Sequence, residues 1–289
     1  MNFDVISPKT TPELLNAIAD NQANNFKIGA GFTDLINQFK SQQTKGLILI
    51  NLAQLTDNSF KLIVENKTDF QIGALTTASE IIDNKLIQEN FPVLHQAASK
   101  LASTQIRNVA TVGGNICNVS PSGDMTAALI ALKATCHILD CDGNERKELL
   151  SSFIRGLKKT SLTKKEIIKN ISIPKNSSNK IISGFEKVGS RKSMEISIVS
   201  LAYHIQMNND WKIIDAGVTC GAVAPTIPFT STACEFLIGK NIHTISESDK
   251  EEFAKRVLEY ANPISDIRAS DWYRKEVLFN ISKTIFDNE

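Results

Sequence analysis

The chain has 289 residues, of which 42% are hydrophobic and 22% charged, and its formal net charge is +1. That size and balance specify a folded protein of one large or two modest domains and exclude a disordered chain; the charge gives no basis for binding nucleic acid or an anionic membrane. No apolar run approaches the roughly 20 residues that cross a bilayer, and the start, MNFDVISPKTTPELL, has no basic segment leading into an apolar one, so a cytoplasmic protein is expected.

Residues 3–57 read as an α/β unit. Thr11-Pro12-Glu13 marks a helix start, with a capping hydroxyl, a proline in the first turn and an early acid, and Leu14, Leu15 and Ile18 then share one face. Residues 26–30 form a short strand running into Gly29-Ala30-Gly31. Thr33-Asp34 opens a helix with Leu35, Ile36 and Phe39 inward, and residues 47–50 are a buried strand. Residues 58–175 read as α+β. Stretches 61–65 and 69–73 pair as a hairpin around Asn66-Lys67, helices follow at 78–83, 92–103 and 126–133, and strands at 135–140 and 167–173, with a turn at Asp142-Gly143. The polar run 175–180, KNSSNK, is read as a linker between a first domain (1–175) and a second (181–289). The second holds three antiparallel strands, 181–188, 196–206 and 212–222, then helices at 231–238, 247–261 and 271–286.

Five cysteines (Cys117, Cys136, Cys141, Cys220 and Cys234) are odd in number and lack any C-x-x-C spacing, which argues against a disulfide framework, a zinc site or an iron–sulfur cluster held by this chain alone. His95, His137, His204 and His243 are scattered and read as structural. The informative stretch is 101–124, LASTQIRNVATVGGNICNVSPSGD. Paired glycines at Gly113-Gly114 let backbone approach a ligand closely, their N–H groups can converge on an anion, and Asn115 and Asp124 add polar side chains. A Gly pair alone commonly marks only a turn. A second glycine loop, 28–35, lies about eighty residues upstream, and two such loops on βα-type turns suit a dinucleotide, long and anionic in the middle. The nicotinamide fingerprint G-x-G-x-x-G is absent, since Asp34 stands at the third glycine position, and this argues against a Rossmann dehydrogenase.

The strings KIGAGFTDL (27–35), IGALTTASEI (72–81), QIRNVATVGGNI (105–116), AALIALKA (127–134), ISIPK (171–175), GFEKVGSRKSMEISIVSLA (184–202), GVTCGAVAPTIP (217–228) and SDWYRKEVL (270–278) together resemble the FAD-binding subunit of molybdenum hydroxylases such as xanthine dehydrogenase and carbon-monoxide dehydrogenase. The resemblance spans nearly the whole chain. It implies an α+β fold, with a two-part FAD-binding domain (about 1–57 and 58–175) of the vanillyl-alcohol oxidase and p-cresol methylhydroxylase type. A smaller domain with a three-stranded antiparallel sheet and helical bundle follows. It implies FAD as cofactor, NAD⁺ as co-substrate, and two partners, a [2Fe–2S] subunit and a large molybdopterin subunit. By position it assigns the FAD diphosphate to Ile28, Gly29, Ala30, Gly31, Phe32, Thr33, Asp34 and Leu35, the flavin side to Thr111, Val112, Gly113, Gly114 and Asn115, and further contacts to Leu101, Asp124, Ile168 and Lys187. Phe32 departs from the glycine common there and would be strained if that position needs φ > 0. Thr126-Ala127 replaces a proline often found past the Asp. Arg191, Lys192 and Glu195 match a loop near the flavin ring and are expected to tune its potential or the approach of NAD⁺. Neither glycine loop contains His or Tyr, so FAD is expected to bind without a covalent link. No residue is assigned a catalytic role. Two alternatives stay open: a self-contained flavoprotein oxidase or dehydrogenase of the vanillyl-alcohol oxidase superfamily, and a flavin-free scaffold subunit.

Overall fold

The structure is a computed structural model that describes residues 3–40, 44–178, 180–191 and 194–287. Its first unit is a parallel sheet in the order β1 (Phe3–Ile6), β3 (Leu47–Asn51), β2 (Phe26–Gly29), with α1 (Thr11–Asp20) and α2 (Leu35–Phe39) in the connections. The hydrophobic LILI run of β3 occupies the centre, where both edges are paired. Helix α1 is capped one residue earlier than the sequence suggests. Thr10 Oγ1 accepts from the Glu13 N–H at 3.4 Å, while Thr11 donates its hydroxyl to Asp57 Oδ2 at 2.6 Å.

The second unit is an antiparallel sheet of β4 (Ile63–Glu65), β5 (Asp69–Gly73), β10 (Glu166–Pro174), β6 (Thr135–Asp140) and β7 (Glu145–Leu149), in that order. One face packs on α3 (Ala78–Asp83), α4 (Lys85–Asn90), α5 (Pro92–Ser99), α7 (Val112–Asn118) and α8 (Asp124–Ala131), with α6 (Thr104–Arg107) between α5 and α7 in sequence. The other face presents Leu139 and Ile167 to Leu14, Ile18 and Ile50, joining the two units through one small core. The expected helix 92–103 stops at Ser99, because Ala102 takes φ 37°, and α6 starts afresh under the Ser103 cap. Helix α4 and strand β7 lack the strong apolar period that would have announced them; β7 reads ERKEL at a sheet edge. A short helix, α9 (Leu150–Phe153), leads into a two-stranded hairpin, β8 (Ile154–Gly156) and β9 (Lys159–Thr160), also unexpected.

The C-terminal domain is the expected three-stranded antiparallel sheet, β11 (Lys180–Val188), β12 (Val199–Met207) and β13 (Ile213–Gly221), with α10 (Ser231–Leu237), α11 (Glu247–Leu258) and α12 (Asp271–Thr284) on one face. Its other face meets α8, every residue of which is buried. Apart from Asp124 and Thr126 its residues are apolar, as in a core helix, and α8 lies in the first domain's core, which also takes in Phe185 and Ala202 of the C-terminal sheet. Gly217 has no room for a Cβ against Ala131 O, and Thr219 Oγ1 donates to Ala127 O at 3.0 Å. Strand β11 is stitched to α5, since Gln96 Oε1 accepts from Phe185 N at 2.9 Å and Ser183 Oγ from Val93 N at 3.2 Å.

The 175–180 run, read from its composition as a linker, is fastened where it is described. Asn176 Nδ2 donates to Asn90 O at 3.0 Å, and Gln206 Oε1 accepts from Ser177 N at 2.7 Å. His204 Nε2 lies 2.8 Å from Asn176 Oδ1, and Nδ1 lies 3.0 Å from Ser183 Oγ. A neutral imidazole suits both partners, donating to the amide oxygen and accepting from the hydroxyl. Burial pulls His204 down to about 4, against the pull of Asp215 and with the help of Lys133. An unfolded histidine titrates near 6.5. The native state therefore stays neutral where the unfolded chain protonates. Stability is full above about pH 6.5, declines as pH falls and levels off below about pH 4, a loss of about 3 kcal/mol. Urea titrations between pH 7 and pH 4 should show this slope, and His204→Gln should flatten it; an unaltered slope would refute the assignment.

Candidate dinucleotide-binding cleft

The first glycine loop follows β2 and ends at α2. Amide groups normally find acceptors in a fold, yet the N–H groups of residues 31–35 have none among the described residues, apart from solvent. Phe32 adopts φ 59°, the left-handed geometry that the sequence flagged as a source of strain. Alternation into that geometry turns successive N–H groups toward one side, which makes an anion-binding nest. The Phe32 ring covers Gly29, where a Cβ would lie 2.1 Å from ring Cε1, and packs toward Phe39 and Leu49. Gly31 has a different reason: a Cβ there would stand 1.7 Å from Val109 O, so the loop crosses the chain just ahead of the second glycine segment in backbone contact. Helix α2 has only 5 residues. Such a short helix has little dipole, so the unbonded amides, and not a long helix, are what this loop offers to a negative group.

The second glycine segment works differently from the sequence expectation. It is not a βα turn but the first turn of α7, capped by Thr111, whose link to the sheet region is the isolated bridge Thr77–Thr111. Its amides already have acceptors: Val112 N donates to Thr76 O (2.9 Å), Gly113 N to Ala74 O (2.7 Å), Gly114 N to Thr111 Oγ1 (3.0 Å) and Asn115 N to Thr111 O (2.9 Å). Convergence of the 112–115 amides on an anion is thus ruled out by the bonds they make. Gly113 is buried against Ala74 and Val112 lies in the core. Gly114 is exposed, leaving a wall without a Cβ, and Asn115 Oδ1 accepts from Thr126 N and Oγ1, tying α7 to α8. Thr126, where a proline is common, thus has its own use.

The two segments line one cleft of about 710 Å³, within the roughly 300–1,000 Å³ of small-molecule sites. It gathers residues 28–35, Leu101, Thr111, Gly114 and Asn115 of the expected set. Leu101 is held there by Arg107, whose Nη1 donates to Leu101 O at 2.8 Å and Ala102 O at 3.0 Å. Gln38, Ala102, Ile106 and Lys158 also line the cleft, and the sequence reading missed them. Ile106 and Arg107 sat within the QIRNVATVGGNI string; Lys158 had no motif to mark it.

Asp124, Ile168 and Lys187 are not on the lining. Ile168 is 2% exposed in the core beneath the helices. Asp124 and Lys187 pair with each other at 2.6 Å, their side chains 4% and 5% exposed, and Ser197 Oγ donates to Asp124 Oδ1 at 3.1 Å. Burial pushes the Asp124 carboxyl above its ordinary value against the pull of Lys187. The pair joins the start of α8 to β11, and Lys187 also donates to Lys100 O at 3.1 Å. In the 189–196 loop, Glu195 accepts from Arg191 N at 2.8 Å and fills the space beside Gly189, so it holds the turn. Lys192 lies outside the described residues.

Residues 1–176 match the family described as the FAD binding domain in molybdopterin dehydrogenase, and residues 185–288 match the CO dehydrogenase flavoprotein C-terminal domain. This chain belongs to that family of flavoprotein subunits. It is 28% identical to the glyceraldehyde dehydrogenase medium chain of Sulfolobus acidocaldarius over 96% of this chain and 94% of the relative. It is 28% identical to the xanthine dehydrogenase FAD-binding subunit of Escherichia coli O157:H7, over 96% and 92%. The fold matches carbon monoxide dehydrogenase from Hydrogenophaga pseudoflava with TM-score 0.89 at 23% identity, covering 98% of this chain and 95% of that one. The flavoprotein is therefore an oxidoreductase subunit with an FAD-binding domain. Its cleft fits that cofactor: a row of unpaired amides suits a diphosphate, and the wall at Gly114 admits a flat group closely.

In the flavoprotein, Gly31→Ala should force the crossing apart at a cost of about 1–3 kcal/mol and weaken FAD binding. Unchanged melting and unchanged FAD affinity would show that the crossing does not matter. Phe32→Gly removes a left-handed backbone cost of about 1–2 kcal/mol together with the ring packed over Gly29, and should weaken FAD binding less than Phe32→Val does. Phe32→Val, which tolerates that geometry less, should weaken it about tenfold or more; the reverse order by fluorescence titration would contradict the nest.

Proposed function

We propose that this flavoprotein is the electron-transfer subunit of a xanthine dehydrogenase-like molybdenum hydroxylase, and that FAD lies in the cleft with its diphosphate on the amides of residues 31–35. The carrying observation is that run of acceptor-free N–H groups opening onto the Gly114 wall. The proposed FAD contacts are residues 28–35, Leu101, Thr111, Gly114 and Asn115, with Val112, Gly113, Ile168 and the Asp124–Lys187 pair acting from behind the lining. Bound FAD supplies the conversion between single electrons from the [2Fe–2S] clusters of a small partner and a hydride for NAD⁺. The chain's residues bind, orient and shield it. Among the described residues the cleft lining contains no histidine and one carboxylate, Asp34, which accepts from Gln38 Nε2 at 2.5 Å. That favours electron transfer over a self-contained oxidase with its own base.

The [2Fe–2S] subunit and the large molybdopterin subunit are the proposed partners. Support comes from relatives named as a medium chain and as FAD subunits, and from apolar side chains left in solvent: Ile264 at 71% exposure, Ile267 at 101% and Trp272 at 65%. Surfaces of that kind mark protein contacts. The described cysteines are unpaired, which suits a reducing, cytoplasmic compartment. Among the described residues no helix is long and apolar enough to cross a membrane.

The test is anaerobic spectroscopy of the purified chain reconstituted with FAD. The reading predicts a yellow protein with stoichiometric, releasable FAD that NADH bleaches, and no turnover of an organic substrate without partners. A colourless protein that takes up no FAD contradicts the reading; FAD that ferredoxin reduces and NADH does not would contradict NAD⁺ as acceptor.

A further inference from the structure

Lys158 stands at the cleft on an arm that neither glycine loop supplies. The β8–β9 hairpin is rooted in the core: Phe153 is fully buried, Ile154 packs on the main cluster, and Ser161 N donates to Phe153 O at 2.9 Å. Gly156 pairs with Lys159, so Leu157 and Lys158 form the tip. Lys158 there adopts φ 56°, a geometry for which glycine or asparagine is the usual residue in a two-residue turn. A long cationic side chain kept in such a position points to a use for the side chain.

The ammonium group reaches back over α7, donating to Asn118 O at 2.9 Å and Asn118 Oδ1 at 2.8 Å. Both acceptors are neutral, and Lys158 makes no ion pair among the described residues. An ammonium group has three N–H donors, so one remains beyond the two on Asn118. The charged residues of the lining are Lys27, Asp34 and Lys158. Among the described residues Lys158 is the cation of the lining fixed by two hydrogen bonds, and no carboxylate among them neutralises its charge.

We infer that Lys158 is a further cofactor contact, its ammonium group binding the diphosphate that the 31–35 amides cradle. This rests on the proposed placement of FAD in the cleft. Amides supply direction but no net charge, and the lysine supplies the compensating charge from the far side of α7. Because Lys158 is exposed and only its tip overhangs the cleft, its removal leaves the fold's cores untouched.

The experiment titrates the full-length apoprotein with FAD, ADP and riboflavin at low and high salt, for wild type, Lys158→Met and Lys158→Arg. The inference predicts about tenfold weaker FAD and ADP binding for Lys158→Met, a flatter salt dependence, unchanged riboflavin binding and an unchanged melting temperature, with Lys158→Arg restoring most of the affinity. Equal FAD binding by wild type and Lys158→Met overturns this assignment alone. A loss that extends equally to riboflavin overturns the diphosphate as its target. Failure of the wild-type chain to bind FAD overturns the placement of the cofactor and this inference with it.

Discussion

The amides of residues 31–35 have no acceptors among the described residues and lie on a half-exposed loop, and the proposed cofactor site depends on them. The geometry that maintains them is built from two contacts. Gly31 crosses the 109–110 backbone with no space for a side chain, and Phe32 turns through a left-handed conformation with its ring anchored over Gly29 and toward Phe39. The crossing fixes the first loop against the segment that leads into α7. The donor row and the Gly114 wall consequently face one cleft, though they come from different units of the domain.

That cleft stays in place because the domains are not independent. Helix α8 lies between the large sheet's helical layer and the C-terminal sheet, buried on all sides. Asn115 hangs α7 from its first turn through Thr126, and the Asp124–Lys187 pair pins the same end to β11. A buried ion pair gives little net stability, and breaking it by removing one partner costs several kcal/mol. Its placement at the junction makes the relation between the cleft wall and the C-terminal domain a fixed one. The proposed electron-transfer role asks for constant distances more than for motion, and this frame supports it.

Much of this was legible in the sequence. The period of apolar residues and the turn signals located the parallel unit, the hairpin at Asn66, strand β6 and the three long C-terminal strands. The glycines located both walls of the cleft. What the residues could not reveal was how each glycine is used. Gly113-Gly114 reads like an anion loop, but its amides bind Ala74 O and Thr111 Oγ1, partners fixed by tertiary packing. Asp124 and Lys187 were placed at the cofactor by register, and the structure pairs them with each other across 63 residues of sequence, off the lining of this cleft. Lys158 escaped because a lysine in a short polar hairpin has no pattern. The linker's polar composition hid the bonds that Asn176 and Ser177 make to His204 and Gln206.

The central claim is that the 31–35 amides, and not those of 112–115, grip the diphosphate. Residue-resolved amide hydrogen exchange of the chain with and without saturating FAD tests it most directly. The account predicts strong new protection at residues 31–35 and little change at residues 112–115, which are already bonded. New protection at 112–115 with none at 31–35 would contradict it.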